Sequence, residues 1–180
     1  MLNKSYTQMK NILLFITFSV LISSCSIPNM VVIELESKSC SQTNGFVVFI
    51  EKDSKVTMEA TINNLEPGEH AIHIHEKSDC SSIDGKSAGG HWNPTLESHG
   101  KWGDSKGFHR GDIGNFNVDE NGNGTVSFST DLWCLDCDDL NKNIIGKSII
   151  IHQGSDDLVS QPSGAAGSRI ACGGIIEENL

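Results

Sequence analysis

The chain has 180 residues, 37% of them hydrophobic, with 18 glycines, 7 histidines, 6 cysteines and a formal charge of −10. That length and apolar content suit one domain with its own core, which excludes a disulfide-only miniprotein and a long disordered chain. The acidic balance, with no basic run to offset it, excludes nucleic acid as a partner.

The first segment reads as an address. Lys4 and Lys10 precede the apolar run Ile12–Ile22, which has the proportions of a signal-peptide core and is short for a membrane span. The run ends in Leu21-Ile22-Ser23-Ser24-Cys25, which resembles the lipobox of bacterial lipoproteins, with Cys25 as the lipidated residue. Ordinary secretory cleavage that leaves a free cysteine is the plainer alternative. Under the lipoprotein reading, residues 1–24 are a removed signal peptide, residues 25–30 a short tether and residues 31–180 the folded domain. The expected location is a bacterial cell envelope, periplasm or outer surface, with the membrane reached through the lipid anchor.

From Val31 onward the apolar residues alternate or come in short runs, as in Val31–Leu35, Gly45–Glu51 and Lys55–Ile62. These read as strands, and Lys52-Asp53-Ser54 supplies the turn between the last two. His70–His75, Ile113–Val118, Thr125–Phe128, Ser148–Ile151 and Ile170–Ile176 extend the series, separated by turn signals such as Glu66-Pro67-Gly68 and Asn121-Gly122-Asn123-Gly124. No segment holds a helical period. The expectation is an all-β, eight-stranded antiparallel Greek-key sandwich or barrel. Two stretches, Glu76–Gly111 and Gln153–Arg169, break the spacing and are expected to be long functional loops.

The histidines gather around those loops. His73 and His75 stand at i and i+2, so on a strand both imidazoles project from one face while Ile72 and Ile74 face the core. His91, His99 and His109 follow in the first loop, with Asp112 three residues after the last, and His152 closes the strand Ile149-Ile150-Ile151. A single histidine is as often a structural hydrogen-bonder. Six with a carboxylate point to zinc or copper, since no thiolate stands among them to favour a softer site.

At these residues the chain resembles the copper/zinc superoxide dismutase family, over about residues 31–178. The resemblance is carried by Gly68-Glu69-His70-Ala71-Ile72-His73-Ile74-His75-Glu76, Gly89-Gly90-His91-Trp92-Asn93-Pro94, His99-Gly100, His109–Asn115 and Gly164–Gly173. It implies copper held by His73, His75, His91 and His152, and zinc held by His91, His99, His109 and Asp112, with His91 bridging the two. It implies dismutation of superoxide to dioxygen and hydrogen peroxide by copper redox cycling, with Arg169 and His91 as the catalytic side chains. Asp156 matches the carboxylate that joins a copper histidine to a zinc histidine, here His73 and His99, although Asp157 is adjacent. His70 lies outside the ligand set and reads as structural. Because Val159–Ser168 holds no charged residue, Lys86, Lys101, Lys106 or Arg110 are the candidates for guiding an anionic substrate.

Cys80 and Cys172 resemble the family's intrasubunit disulfide, as fits an oxidising compartment. Cys134 and Cys137 stand outside the family pattern and read as a local disulfide or, less simply, a copper-accepting pair, leaving Cys40 over. The competing function is a copper-binding or copper-delivery domain on the same fold without turnover, against which the full ligand set and Arg169 argue. A surface lipoprotein with incidental histidines does not explain ligand types at five motif positions. Family members occur as monomers and as dimers built through different faces, so a homodimer is among the expected partners.

Overall fold

The computed structural model describes residues 29–176. The expected signal peptide and Cys25 lie outside the described residues.

Alternation builds the strands. In β1 (Asn29–Ser37) Val31, Ile33 and Leu35 are buried while Val32, Glu34 and Glu36 face out, the period of a strand with one covered face. β2 (Asn44–Lys52) and β3 (Lys55–Asn63) repeat it, sending in Val47 and Phe49, then Val56, Met58, Ala60 and Ile62. Both strands of this hairpin pair without a break through the turn expected at Lys52–Ser54, from Asn44↔Asn63 to Lys52↔Lys55. β4 (Gly68–His75), β5 (Gly114–Val118), β6 (Gly124–Thr130), β7 (Ser148–His152) and β8 (Arg169–Gly174) complete the set. Ile175 and Ile176 fall beyond β8. Among the described residues the helical content is one short 3-10 turn, Lys86–Ala88.

The strands are antiparallel and close into a barrel in the order β1-β2-β3-β6-β5-β4-β7-β8. Two joints are narrow: β5 meets β6 through Val118↔Gly124 alone, and β1 meets β8 through Glu36↔Cys172 and Ser37↔Ala171. The barrel is therefore two sheets, β1-β2-β3-β6 and β5-β4-β7-β8, packed over one core. Trp102 of the first long loop lies against Phe128 and Trp133, with ring centroids 4.8 and 5.7 Å away. Those rings cover the barrel where β5 and β6 barely pair. A third long connection, residues 131–147, joins β6 to β7 and carries the Cys134–Cys137 disulfide; its Trp133 Nε1 donates to Arg110 O at 2.8 Å. Cys40 is exposed and has no disulfide partner among the described residues.

The sheet that contains β4 is covered on both faces. Ile72, Ile74, Ile149 and Ile151 join the core, while His73, His75 and His152 are buried on the other side beneath the two long loops. Cys80–Cys172 ties the first of these loops to β8 across a sequence separation of 92. Closing so long a loop contributes about 2–4 kcal/mol. Replacing the pair as Cys80→Ser with Cys172→Ala is expected to lower unfolding free energy by about that amount. Urea titration checks it, and an unchanged midpoint would remove the disulfide from the stability argument.

Candidate metal centre

Seven side chains from two strands and one long loop converge outside the β4-β7 wall. β4 supplies His73 and His75 and β7 supplies His152, whose registers His73↔Ile150 and Ile72↔Ile151 place them on adjacent strands. The first long loop supplies His91, His99, His109 and Asp112. Its path is pinned to β4 from both sides: Trp92 N–H donates to Ile74 O at 2.8 Å and Ile74 N–H donates to Gly111 O at 2.9 Å. Two four-residue groups result, His73, His75, His91 and His152, and His91, His99, His109 and Asp112. In each group the candidate ligand atoms lie within 4.8 Å of one another. His91 belongs to both, its ring centroid 4.0 Å from that of His73 and 5.7 Å from that of His109.

The unpaired atoms test whether these groups suit metal ions. Buried polar atoms are almost always hydrogen-bonded. Here His73 Nδ1, His75 Nε2, His91 Nε2, His99 Nδ1 and His152 Nε2 are buried without a hydrogen-bond partner. Most of the opposite ring nitrogens are engaged. His73 Nε2 meets Asp156 Oδ2 at 2.9 Å, His75 Nδ1 donates to Gly89 O at 3.0 Å and His91 Nδ1 meets Asp112 Oδ1 at 2.8 Å. His152 Nδ1 reaches Gly167 O at 3.4 Å. One nitrogen oriented and the other free is the arrangement of a metal-binding imidazole. Four imidazoles suit copper; three imidazoles and a carboxylate suit zinc.

Asp156 joins the two groups. Its Oδ2 holds His73 and its Oδ1 lies 2.9 Å from His99 Nε2. Asp157, the adjacent candidate, instead caps its own turn through Val159 N–H and Ser160 N–H at 2.9 and 2.7 Å. Asn115 fixes Asp156 by bracketing its backbone, with Oδ1 accepting Asp156 N–H and Nδ2 donating to Asp156 O, both at 2.8 Å. Gly164, at φ 66°, passes so close to Asp156 Oδ1 and His99 Nε2 that a Cβ there would collide with both. Neither role shows in the sequence, because hydrogen bonds between distant loops leave no periodic trace.

The charges differ between the groups. Burial, with neighbouring histidines adding to it, holds His75 and His152 well below the ordinary histidine range. Burial also lowers His91, to about 4, against the opposing pull of Asp112. His99 goes the other way: burial opposes its charge, but Asp112 and Asp156 together raise it to about 9. His99 Nδ1 stands 2.9 Å from Asp112 Oδ2 at ion-pair distance without aligning as a hydrogen bond. Asp112 itself lies far below the carboxylate range, because its bonds to His109 and His91 and the neighbouring His99 ring outweigh burial.

A cleft beside His91 is lined by Glu76, Gly90, His109, Pro162, Ser163 and Arg169. Arg169 Nη1 donates to Gly85 O at 2.8 Å, which aims the half-buried guanidinium along it. Lys86, Lys101, Lys106 and Arg110 do not line this cleft. Lys86 is paired with Asp84 at 2.8 Å, and Arg110 sits in a different cleft with Thr95 and Phe108. His70 is buried apart from both groups, its ring nitrogens 2.9 Å from His152 O and 2.8 Å from Glu66 O, as a structural residue would be.

A closed antiparallel barrel with two donor groups sharing one imidazole defines a metal-binding protein with paired sites. The family model for copper/zinc superoxide dismutase (SODC) matches residues 43–175, and the chain belongs to that family. Copper and zinc are the family's metals, and the two groups provide donor sets for them. The chain is similar to the extracellular superoxide dismutase [Cu-Zn] of Caenorhabditis elegans, 38% identical over 144 residues, which covers 76% of this chain and 63% of that protein. It is also 34% identical over 146 residues to the copper chaperone for superoxide dismutase of Mus musculus, covering 76% of this chain and 49% of that protein. Both matches span less than two thirds of the relative's length. A solved SOD-like protein from Bacillus subtilis, crystallised as a double mutant, superposes with a TM-score of 0.73 at 33% identity over 81% of this chain and 97% of that one.

Proposed function

We propose that the protein is a superoxide dismutase that holds copper at His73, His75, His91 and His152 and zinc at His91, His99, His109 and Asp112. The observation that carries this reading is His91, which turns Nδ1 to Asp112 and leaves Nε2 free toward the other histidines. When bound, copper supplies one-electron exchange with superoxide, and redox-inert zinc fixes the charge and orientation of the shared ring. The chain's own groups do the rest. Arg169 offers the cleft a permanent cation for a small anion; burial lowers its pKa while Asp84 and Glu76 pull it back up. Gly89 O and Gly167 O hold His75 and His152 so that each presents one nitrogen. His91 Nε2 is the atom beside the cleft placed to hold a proton.

Metal analysis together with superoxide consumption tests the reading. Equimolar copper and zinc with rapid turnover is expected, and Arg169→Ala is expected to slow it about tenfold or more without loss of either metal. Bound copper and zinc without turnover would overturn the dismutase reading and favour copper delivery, which the match to the copper chaperone makes the second reading.

The proton cost of the two sites differs. At neutral pH His75, His91 and His152 are already uncharged, whereas His99, raised to about 9, carries a proton that a ligand must lose. Zinc binding to metal-free protein at pH 7 is therefore expected to release about one proton from His99 and copper binding alone none from those three, while filling both sites releases one more, because a ring shared by two ions loses both its ring protons. Titration at constant pH measures this, and release on copper rather than zinc would contradict it.

The same reading makes residues 1–24 a signal peptide, Cys25 a lipidated N-terminus and residues 25–30 a short tether. The apolar run after Lys4 and Lys10 and the likeness to an extracellular relative support export. Mass spectrometry of the exported protein is expected to find acyl chains on Cys25, and a cleavage site elsewhere would refute the anchor.

A further inference from the structure

Gln161 is an exposed residue of the second long loop. An exposed glutamine ordinarily turns its carboxamide to water. Here the carboxamide is occupied by backbone. His99 N–H donates to Gln161 Oε1 at 2.9 Å, and Gln161 Nε2 donates to His99 O at 2.9 Å and to Val159 O at 3.2 Å. The acceptor and both donors are thus in use. Among the described residues no other group bonds His99 N–H or His99 O. His99 is buried, with 4% of its surface exposed, so both peptide groups need a partner, and one surface side chain supplies it.

The second loop therefore grips His99 twice. Asp156 Oδ1 holds its ring at Nε2 and Gln161 holds its main chain, while Nδ1 is left to the group that contains Asp112. A ring fixed at its far nitrogen and at its backbone has little freedom left at either side-chain torsion. Such a ligand is oriented before the ion arrives and loses less entropy on binding it.

We propose that Gln161 is a positioning residue for His99, holding its main chain so that the ring is oriented before zinc binds. The proposal rests on His99 being a zinc ligand.

The test uses Gln161→Met in the full mature chain, since methionine matches the length and lacks the polar atoms. Zinc affinity is measured by chelator competition and the site by its cobalt(II) absorption spectrum. Zinc affinity is expected to fall about 10- to 100-fold. The cobalt bands are expected to shift, while the melting temperature falls more in the zinc-loaded than in the metal-free protein. A merely structural residue would lower both melting temperatures alike and leave the cobalt spectrum unmoved. Wild-type affinity and spectrum in the variant would overturn the role of Gln161 alone. A wild-type chain that takes up no zinc overturns the zinc assignment and this proposal together. If the variant does not fold, Gln161→Glu decides: it keeps the acceptor for His99 N–H and loses the donor to His99 O, so zinc affinity must fall and the cobalt bands must shift, and wild-type values for both refute the role.

Discussion

His91→Ala is expected to cut superoxide consumption on the order of a hundredfold or more, and to weaken both metals at once, while leaving the barrel folded. The reason is geometric. His91 is shared by both donor groups, and its two nitrogens face different ways, Nδ1 at 2.8 Å from Asp112 Oδ1 and Nε2 unpartnered among the other histidines. Any other single substitution, such as His152→Ala or Asp112→Ala, removes a donor from one group only. The backbone at this point is held independently of the ring, by Trp92 N–H on Ile74 O and Gly111 N–H on Trp92 O. Circular dichroism should therefore change little. Metal content and turnover measured on the same preparation decide the matter, and a variant that keeps both metals and full turnover would dismiss the shared-ligand reading.

Gly164→Ala should do comparable damage without touching a ligand. The glycine sits at φ 66°, where an alanine is strained by about 1–2 kcal/mol, and its Cβ would overlap Asp156 Oδ1 and come within 2.7 Å of His99 Nε2. Asp156 must then swing away from His73, from His99, or from both, and each loses the carboxylate that orients it. Affinity at both sites is expected to drop about 10- to 100-fold. Strain alone would lower the stability of metal-free and metal-loaded protein equally. The distinguishing result is a larger fall in the loaded protein, with a changed cobalt spectrum, and equal falls would reduce Gly164 to a turn residue.

The shared face of the first two candidate ligands was legible because their spacing is local, whereas the grouping of the rest came from the family resemblance. His73 and His75 share a strand face by simple alternation, and the buried Ile72 and Ile74 between them confirm the period. The strands were legible for the same reason, to within one or two residues at most ends. What escaped notice depends on contacts between distant segments. The single pairing of β5 with β6, the Trp102 ring over it and the bracket of Asn115 on Asp156 each join parts of the chain that no window spans together. Which cations guide an anion was not legible, because a charge in a long loop has no predictable position until the loop is fixed. Lys86, Lys101, Lys106 and Arg110 do not line the cleft, where Glu76 and Arg169 both stand.

From Ala71 to His75 no residue of β4 meets solvent: one side chain in two lies in the apolar interior and the other in the metal-binding layer. A one-residue slip against β5 and β7 would exchange the two sets, pressing imidazoles into hydrocarbon and leaving isoleucines where donors are needed. Insertions or deletions along this segment are therefore tolerable only in even numbers, and mispairing here is penalised on two surfaces simultaneously. The element that carries the first two metal-binding side chains is also the one whose alignment the polypeptide can least afford to get wrong.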